Sequence, residues 1–466
     1  MIMKPSRLKK VLVWTMVLLF MQSCGQDNPL DDILGADGSS SGNVSDATAQ
    51  VIVDWNDLWL VTDRYSTGMR PNATARALAY IHLAAYETAV HSMDGYTSME
   101  RRLNGFNINE NQRDDGIHVG IALNSCYAAT MEHFMYGVTI DAASRINELR
   151  STRESNLGEN LSNDVVRESR EWGEYVAERV IAYSQSDRDA EEQILEPQPR
   201  SYEPPTGDGY WTYSDDAERA LFPYWSSVRT FVISSRQTSS VPPRDRYSEN
   251  NSSGYFAQMA EVYEVSTTAR EADNEQLWIA EFWSDDVEEL MVSPPGRQVS
   301  IANQLVVQHD LDLASTLALY LKLGFSLNDA AVSTWADKYE YMVMRPTVYV
   351  HEFIDPNFQT NLYRFINWPN PSFPGYPSGH SAFASAAAGV FISQFGDNTN
   401  FTDLTHEGRT EFRGAARQYN RLSDMAEENA FSRIPLGVHI RMDCEEGLRL
   451  GYEVADAVNR FLSPNS

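Results

Sequence analysis

Three short segments of the chain carry the residue types that anion chemistry needs. The first, 335-WADKYEYMVMRP-346, sets Lys338 seven residues before Arg345. The second, 373-FPGYPSGHSAF-383, runs Pro377, Ser378, Gly379 and His380 into an Ala-rich apolar stretch. The third, 431-FSRIPLGVHIRMDCEEG-447, holds Arg433, His439 and Asp443. An ammonium, two guanidinium groups, a hydroxyl and a helix N-terminal amide are enough to cage a tetrahedral oxyanion. Of the two imidazoles, one could exchange protons while the other attacks or ligates. Asp443, four residues after His439, could accept a proton from one ring nitrogen and so fix the tautomer of the other. Taken singly, each segment is ordinary, since cations at helical spacing usually form a solvated face. Their occurrence together and in this order is not.

These residues need elements to aim them. Ser378 is a good helix N-cap, Gly379 permits close approach to the main chain, and 381-SAFASAAAGVFISQF-395 is strongly helix-forming. Ser378, Gly379 and His380 are therefore expected at a helix N-terminus, where free N–H groups and the dipole favour an anion. Lys338 and Arg345 are expected on one face of a helix that ends at Arg345, before Pro346. Aromatic and apolar neighbours flank them, so a buried counter-charge is expected too. Pro435 and Gly437 break the helix between Arg433 and His439, leaving a loop to aim both.

Apolar residues recur at helical spacing over 73–93, 116–135, 162–185, 274–286, 299–310 and 445–462, and over 312–344, which reads as two helices. Strand signals are scarce. Residues 186–255 are loop-rich and long enough to wrap over a scaffold. The expected fold is all-α: two helical bundles packed together with long connecting loops. An N-terminal helical domain would span 51–270 and a C-terminal catalytic domain 271–466.

A formal net charge of −28 over 466 residues argues against general nucleic-acid binding. It also makes a cluster of cations notable. At the N-terminus, Lys4, Arg7, Lys9 and Lys10 precede the apolar run 11-VLVWTMVLLFM-21, and Ser23-Cys24 resembles a loose bacterial lipobox. The expectation is a signal peptide over 1–23, then a flexible tether over 24–50 lipidated at Cys24. That makes a periplasmic or cell-surface lipoprotein, or a secreted protein. Cys126 and Cys444 could form one bridge or stay as two buried thiols. His82, His91, His118 and His133 lack carboxylate or Cys partners at metal spacing and read as core or surface residues.

The spaced set Lys-x6-Arg-Pro, Pro-Ser-Gly-His and Ser-Arg-x5-His-x3-Asp resembles the vanadium-dependent haloperoxidases and the type 2 phosphatidic acid phosphatase/bacterial acid phosphatase group, which share an anion pocket. Trp335, three before Lys338, and Phe373, seven before His380, resemble the chloroperoxidase-like type, where these positions border the halide. The stretch 282-FWSDDVEELMVSPPGR-297 resembles that family's Trp-x-x-Asp…Pro-Pro segment, which implies that Asp286, or its neighbour Asp285, pairs with Arg433. The resemblance implies a vanadate cofactor and no haem. His439 would hold the vanadium, and Lys338, Arg345, Ser378, Gly379, His380 and Arg433 would bind the vanadate oxygens. His380 would move protons and Lys338 would polarise bound peroxide, with Asp286 and Asp443 in support. The implied substrates are hydrogen peroxide and a halide, iodide ahead of bromide. Two alternatives stand beside this: an acid phosphatase with His439 as nucleophile, and a non-catalytic oxyanion-binding lipoprotein.

Overall fold

The computed structural model describes residues 41–66, 68–135, 140–213, 218–233, 240–285, 287–362 and 369–463. The expected leader, Cys24 and most of the tether lie outside the described residues, as does Asp286. The helices in chain order are α1 Ala47–Asp63, α2 Asn72–Ala89, α3 Val119–Phe134, α4 Ile140–Gly158, α5 Asn163–Gln185, α6 Arg188–Leu195, α7 Gly254–Ala272 and α8 Glu275–Phe282. They continue with α9 Pro294–Gln308, α10 Leu313–Tyr341, α11 Pro346–Phe353, α12 Gly379–Phe395, α13 Leu422–Phe431, α14 Arg433–Leu436 and α15 Arg441–Phe461. Two short antiparallel strands, β1 Phe401–Asp403 and β2 Arg417–Tyr419, pair with Phe401 opposite Tyr419.

The all-α expectation holds. Helices α1, α2, α3 and α5 make one bundle, and α10, α12, α13 and α15 make the other. Residues 312–344 are not two helices but one, α10, which packs on α2 as well as on α12 and joins both bundles into a single core. Gly324 does not break it. A Cβ there would lie 2.9 Å from Ala79 Cα, so the missing side chain lets α10 and α2 meet at the main chain. The expected domain boundary at 270 falls within the last turn of α7, which packs on α8 and, like α8, on α14, beside the second bundle.

Of the expected tether, 24–50, the described residues 41–50 are folded onto the first bundle and α9–α10. Asp46 caps α1 by accepting from Thr48 N and Ala49 N, and Ser41 and Ser45 bond to Asp57 and Asp310. The loop-rich stretch is held over the junction by buried carboxylates. Asp329 accepts from the amides of Phe231, Val232 and Ile233 at 2.8, 2.8 and 3.0 Å, and Asp337 from Ser240 N at 2.7 Å. These bonds satisfy loop amides that burial would otherwise leave without partners. Cys126 and Cys444 are both buried free thiols. Among the described residues, no helix is long and apolar enough to cross a membrane.

Candidate active site

The first segment departs from its expected geometry. Met342, at φ 50°, ends α10 at Tyr341, four residues before Arg345. Arg345 instead precedes α11, with Pro346 in its first turn, where a missing N–H costs nothing. Lys338 and Arg345 therefore do not share a helix face; they converge across the break at Met342, both against the Phe373 ring. Arg345 Nε donates to the Phe373 carbonyl at 2.9 Å and Nη1 to the Val438 carbonyl at 3.0 Å. Lys338 Nζ donates to the carbonyls of Pro374, Gly375 and Pro377 at 3.0, 3.0 and 2.5 Å. An ammonium has three N–H donors, and all three are used. Burial, then the Arg345 charge, hold Lys338 well below the usual lysine range, while Asp443 pulls the other way.

The second segment folds as expected. Ser378 caps α12, its Oγ accepting from Ser381 N at 3.4 Å, and its own amide donates to the Asp443 carbonyl at 2.9 Å. Helix α15 meets this N-terminus through Gly447 and Gly451. A Cβ on Gly447 would fall 2.5 Å from the Ser378 carbonyl oxygen, and one on Gly451 2.3 Å from that of Ala382. A Cβ on Gly379 would press on Trp335 at 3.3 Å.

In the third segment α14 is a single turn. Gly437, at φ 91°, ends it and redirects the chain to His439, a conformation that glycine adopts at least cost. Arg433 Nη1 donates to the carbonyls of Trp283 at 2.9 Å and Ser284 at 3.2 Å, and His380 Nε2 lies 3.1 Å from the same Ser284 carbonyl. His439 Nδ1 lies 3.0 Å from Asp443 Oδ2, which also accepts from Ile440 N at 3.2 Å. Arg345 Nη1 lies 3.1 Å from His439 Nε2. An arginine can only donate, so Nε2 carries the lone pair and the ring proton sits on Nδ1, toward Asp443. Burial, then Arg345, Lys338, Arg433 and His380, hold His439 well below the usual imidazole range. Burial pushes Asp443 up to about 7, against the pull of Lys338, the Ile440 amide and Arg345.

These segments enclose a cavity of about 140 Å³. Arg345, Arg433, His380, His439 and Gly379 line it, with Trp335, Phe373, Phe383 and Pro371 as apolar lining. The Trp335 and Phe373 rings sit 4.8 Å apart at 48°. Lys338 and Ser378 are buried outside the lining, and Lys338 Nζ stands 5.2 Å from the Phe373 ring centre. The chemistry available is oxyanion binding by cationic donors around one neutral imidazole lone pair. Among the described residues no three His, Cys, Asp or Glu side chains gather as a cation site.

Asp285, the alternative partner for Arg433, ion-pairs with Arg297 at 2.9 Å and also lines the cavity. Arg297 pairs with Asp403 at 3.3 Å and touches His406, and all four side chains are buried. Residue-by-residue reading of the sequence missed this cluster, whose members stand far apart along the chain. It also missed Arg70, which lines the cavity. A signal was present there: 69-MRP-71 repeats 344-MRP-346, and in both an Arg-Pro pair precedes a helix.

A family model, the VCPO second helical-bundle domain, matches residues 318–464. The vanadium chloroperoxidase of Curvularia inaequalis is 23% identical where it aligns. That alignment spans 35% of this chain and about a third of the relative's length, 35%. The crystal structure of the first bacterial vanadium-dependent iodoperoxidase superposes with a TM-score of 0.74 at 25% identity, over 88% of this chain and 96% of that one. A bacterial vanadium-dependent chloroperoxidase superposes at 0.62 with 14% identity, over 85% and 92% of the two chains, a likeness of fold. The second helical bundle thus matches the vanadium chloroperoxidase domain model, and the overall fold is one shared with bacterial vanadium haloperoxidases.

Proposed function

We propose that the chain oxidises halide with hydrogen peroxide in this cavity, iodide first and bromide second, using vanadate. The observation that carries this reading is His439. Its Nε2 lone pair sits beside the Arg345 guanidinium in a cavity also lined by Arg433, His380 and the start of α12. A plain oxyanion binder needs cationic donors but no neutral nitrogen ligand. The donor set fits vanadate: His439 Nε2 would hold the vanadium, and Arg345, Arg433 and the Gly379 amide would hold its oxygens. When bound, vanadate supplies a Lewis acid that makes hydrogen peroxide electrophilic without a change in the metal's oxidation state.

The chain's own residues do the rest. Asp443 keeps the His439 proton on Nδ1, so that Nε2 remains a ligand. Lys338 adds positive charge from behind the lining while its ammonium fixes the 374–377 carbonyls, and Ser378 orients the start of α12. His380 supplies and removes protons; with Nε2–H donating to the Ser284 carbonyl, the neutral ring carries its basic lone pair on Nδ1. Trp335 and Phe373 border the halide, and we assign Asp286 to orienting Arg433. The apolar lining favours the largest halide, because the cost of taking an ion out of water falls with its radius. The iodoperoxidase neighbour supports placing iodide first. We also assign the chain to export, with Cys24 as the lipid anchor.

The test is a halide-oxidation assay. Apoprotein is loaded with orthovanadate, or with phosphate, and given hydrogen peroxide with iodide, bromide or chloride, beside His439→Ala. We expect vanadate-dependent triiodide formation that phosphate suppresses and the variant lacks. Hydrolysis of p-nitrophenyl phosphate with no halide oxidised would overturn the reading in favour of the acid phosphatase. Tight oxyanion binding with neither activity would favour the non-catalytic oxyanion-binding lipoprotein.

A further inference from the structure

The described cavity has a cation that none of the three motifs supplies. Arg70 stands between α1 and α2, lines the cavity, and is 6% exposed. Its Nη2 donates to the carbonyls of Asp63 at 2.6 Å and Met291 at 2.7 Å, which fixes the plane of the guanidinium. Its Nε and Nη1 are buried and have no hydrogen-bond partner among the described residues. The nearest carboxylate, Asp63, reaches only 4.0 Å, and its Oδ2 is turned to Ser293 N at 2.6 Å. A buried guanidinium with unused donors on a cavity wall is costly unless an anion completes it.

Two carboxylates share the wall. Asp285 is ion-paired with Arg297, and Glu288 accepts from Gly68 N at 3.0 Å. Neither Arg70 nor Glu288 belongs to the oxyanion cage. Arg70 comes from the first bundle, the cage from the second, and the cavity is shared between them.

We propose that Arg70 forms a second anion subsite in the cavity, one that receives the halide while the cage is filled. The proposal rests on the reading of this cavity as a halide-oxidising site and adds to it a residue for the second substrate. A monovalent, weakly hydrated anion suits the place: single unused N–H donors of a guanidinium beside apolar lining offer charge without the ring of donors that a phosphate requires.

Two measurements keep the failure of this proposal distinct from that of the function. The first is the ³⁵Cl resonance linewidth of chloride in the presence of vanadate-loaded protein, which needs no turnover. Saturable broadening is expected in the wild type and is lost in Arg70→Gln. The second is the halide KM against kcat. Loss of one charge-assisted hydrogen bond should raise KM by roughly tenfold to a hundredfold, with kcat at saturating halide within about twofold. Arg70→Lys, whose ammonium can keep both carbonyl bonds, should fold if Arg70→Gln does not and raise KM by a smaller factor. A merely structural Arg70 would lower thermal stability and kcat and leave halide KM and linewidth unchanged, and that result overturns the subsite. Arg70-dependent broadening in a protein that oxidises no halide would keep the subsite and overturn the function.

Discussion

Two buried cations sit within this fold in opposite settings. Arg297 is paired with the carboxylates of Asp285 and Asp403, and those charges raise its pKa against the effect of burial. Lys338 is equally buried, but its ammonium is held by three main-chain carbonyls and its pKa is depressed. Carboxylates cancel a charge, whereas carbonyls orient it and leave most of its field. The first arrangement builds structure. The second keeps positive potential beside a cavity where an oxyanion would complete it. Positive charge at the site is therefore a matter of what was left out of its surroundings as much as of what was put in.

The sharpest way to break this comparison is to remove each cation in turn. Arg297→Met leaves two buried carboxylates uncompensated and should cost about 3–5 kcal/mol in chemical denaturation. If vanadate affinity falls in the refolded remainder as far as it does for Lys338→Met, the distinction between the two sites fails. Lys338→Met should lower vanadate affinity by roughly 10²-fold to 10³-fold, read by equilibrium dialysis, with a smaller stability loss from three under-satisfied carbonyls. Asp443→Asn tests the tautomer and should weaken vanadate about 10-fold to 100-fold with little change in melting temperature.

The smallest effect extends the comparison to buried acids. Glu87, pushed up to about 7 by burial, accepts from Met99 N and Ser98 Oγ. Asp329, pushed up to about 6 by burial, is held by backbone amides. Both folded-state pKa values lie above the unfolded ones, so each contribution is complete below the ordinary carboxylate range and is lost as pH rises through about 6 to 7. Melting temperature should rise as pH falls from 8 to 5, and Glu87→Gln and Asp329→Asn should flatten that slope. A slope unchanged in both variants would assign it to other groups.

The cage was legible because each of its residues lies in a short segment whose neighbours explain it. Ser378 caps, Gly379 admits close approach, and Asp443 sits where it can reach His439. The path by which Lys338 and Arg345 meet was not legible, because nothing in the sequence marks Met342 as the left-handed residue that ends α10. That 312–344 is one helix rather than two was not legible either, because a glycine such as Gly324 can break a helix or admit a close contact, and only the neighbouring helix decides which. The Arg297 cluster draws on positions from 285 to 406, and the burial that couples them exists only in the fold.

Gly447 and Gly451 bring α15 against the start of α12 at main-chain contact distance. The spacing between the His380 segment and the His439 segment is thus set by a hard stop rather than by a cushion of side chains. A cushion creeps as rotamers change with temperature, and the parts it separates lose alignment by degrees. A hard stop holds its tolerance until the two parts come off it. Registration between the two imidazoles should accordingly stay constant on warming, and heat should abolish it in one step with the separation of the helices.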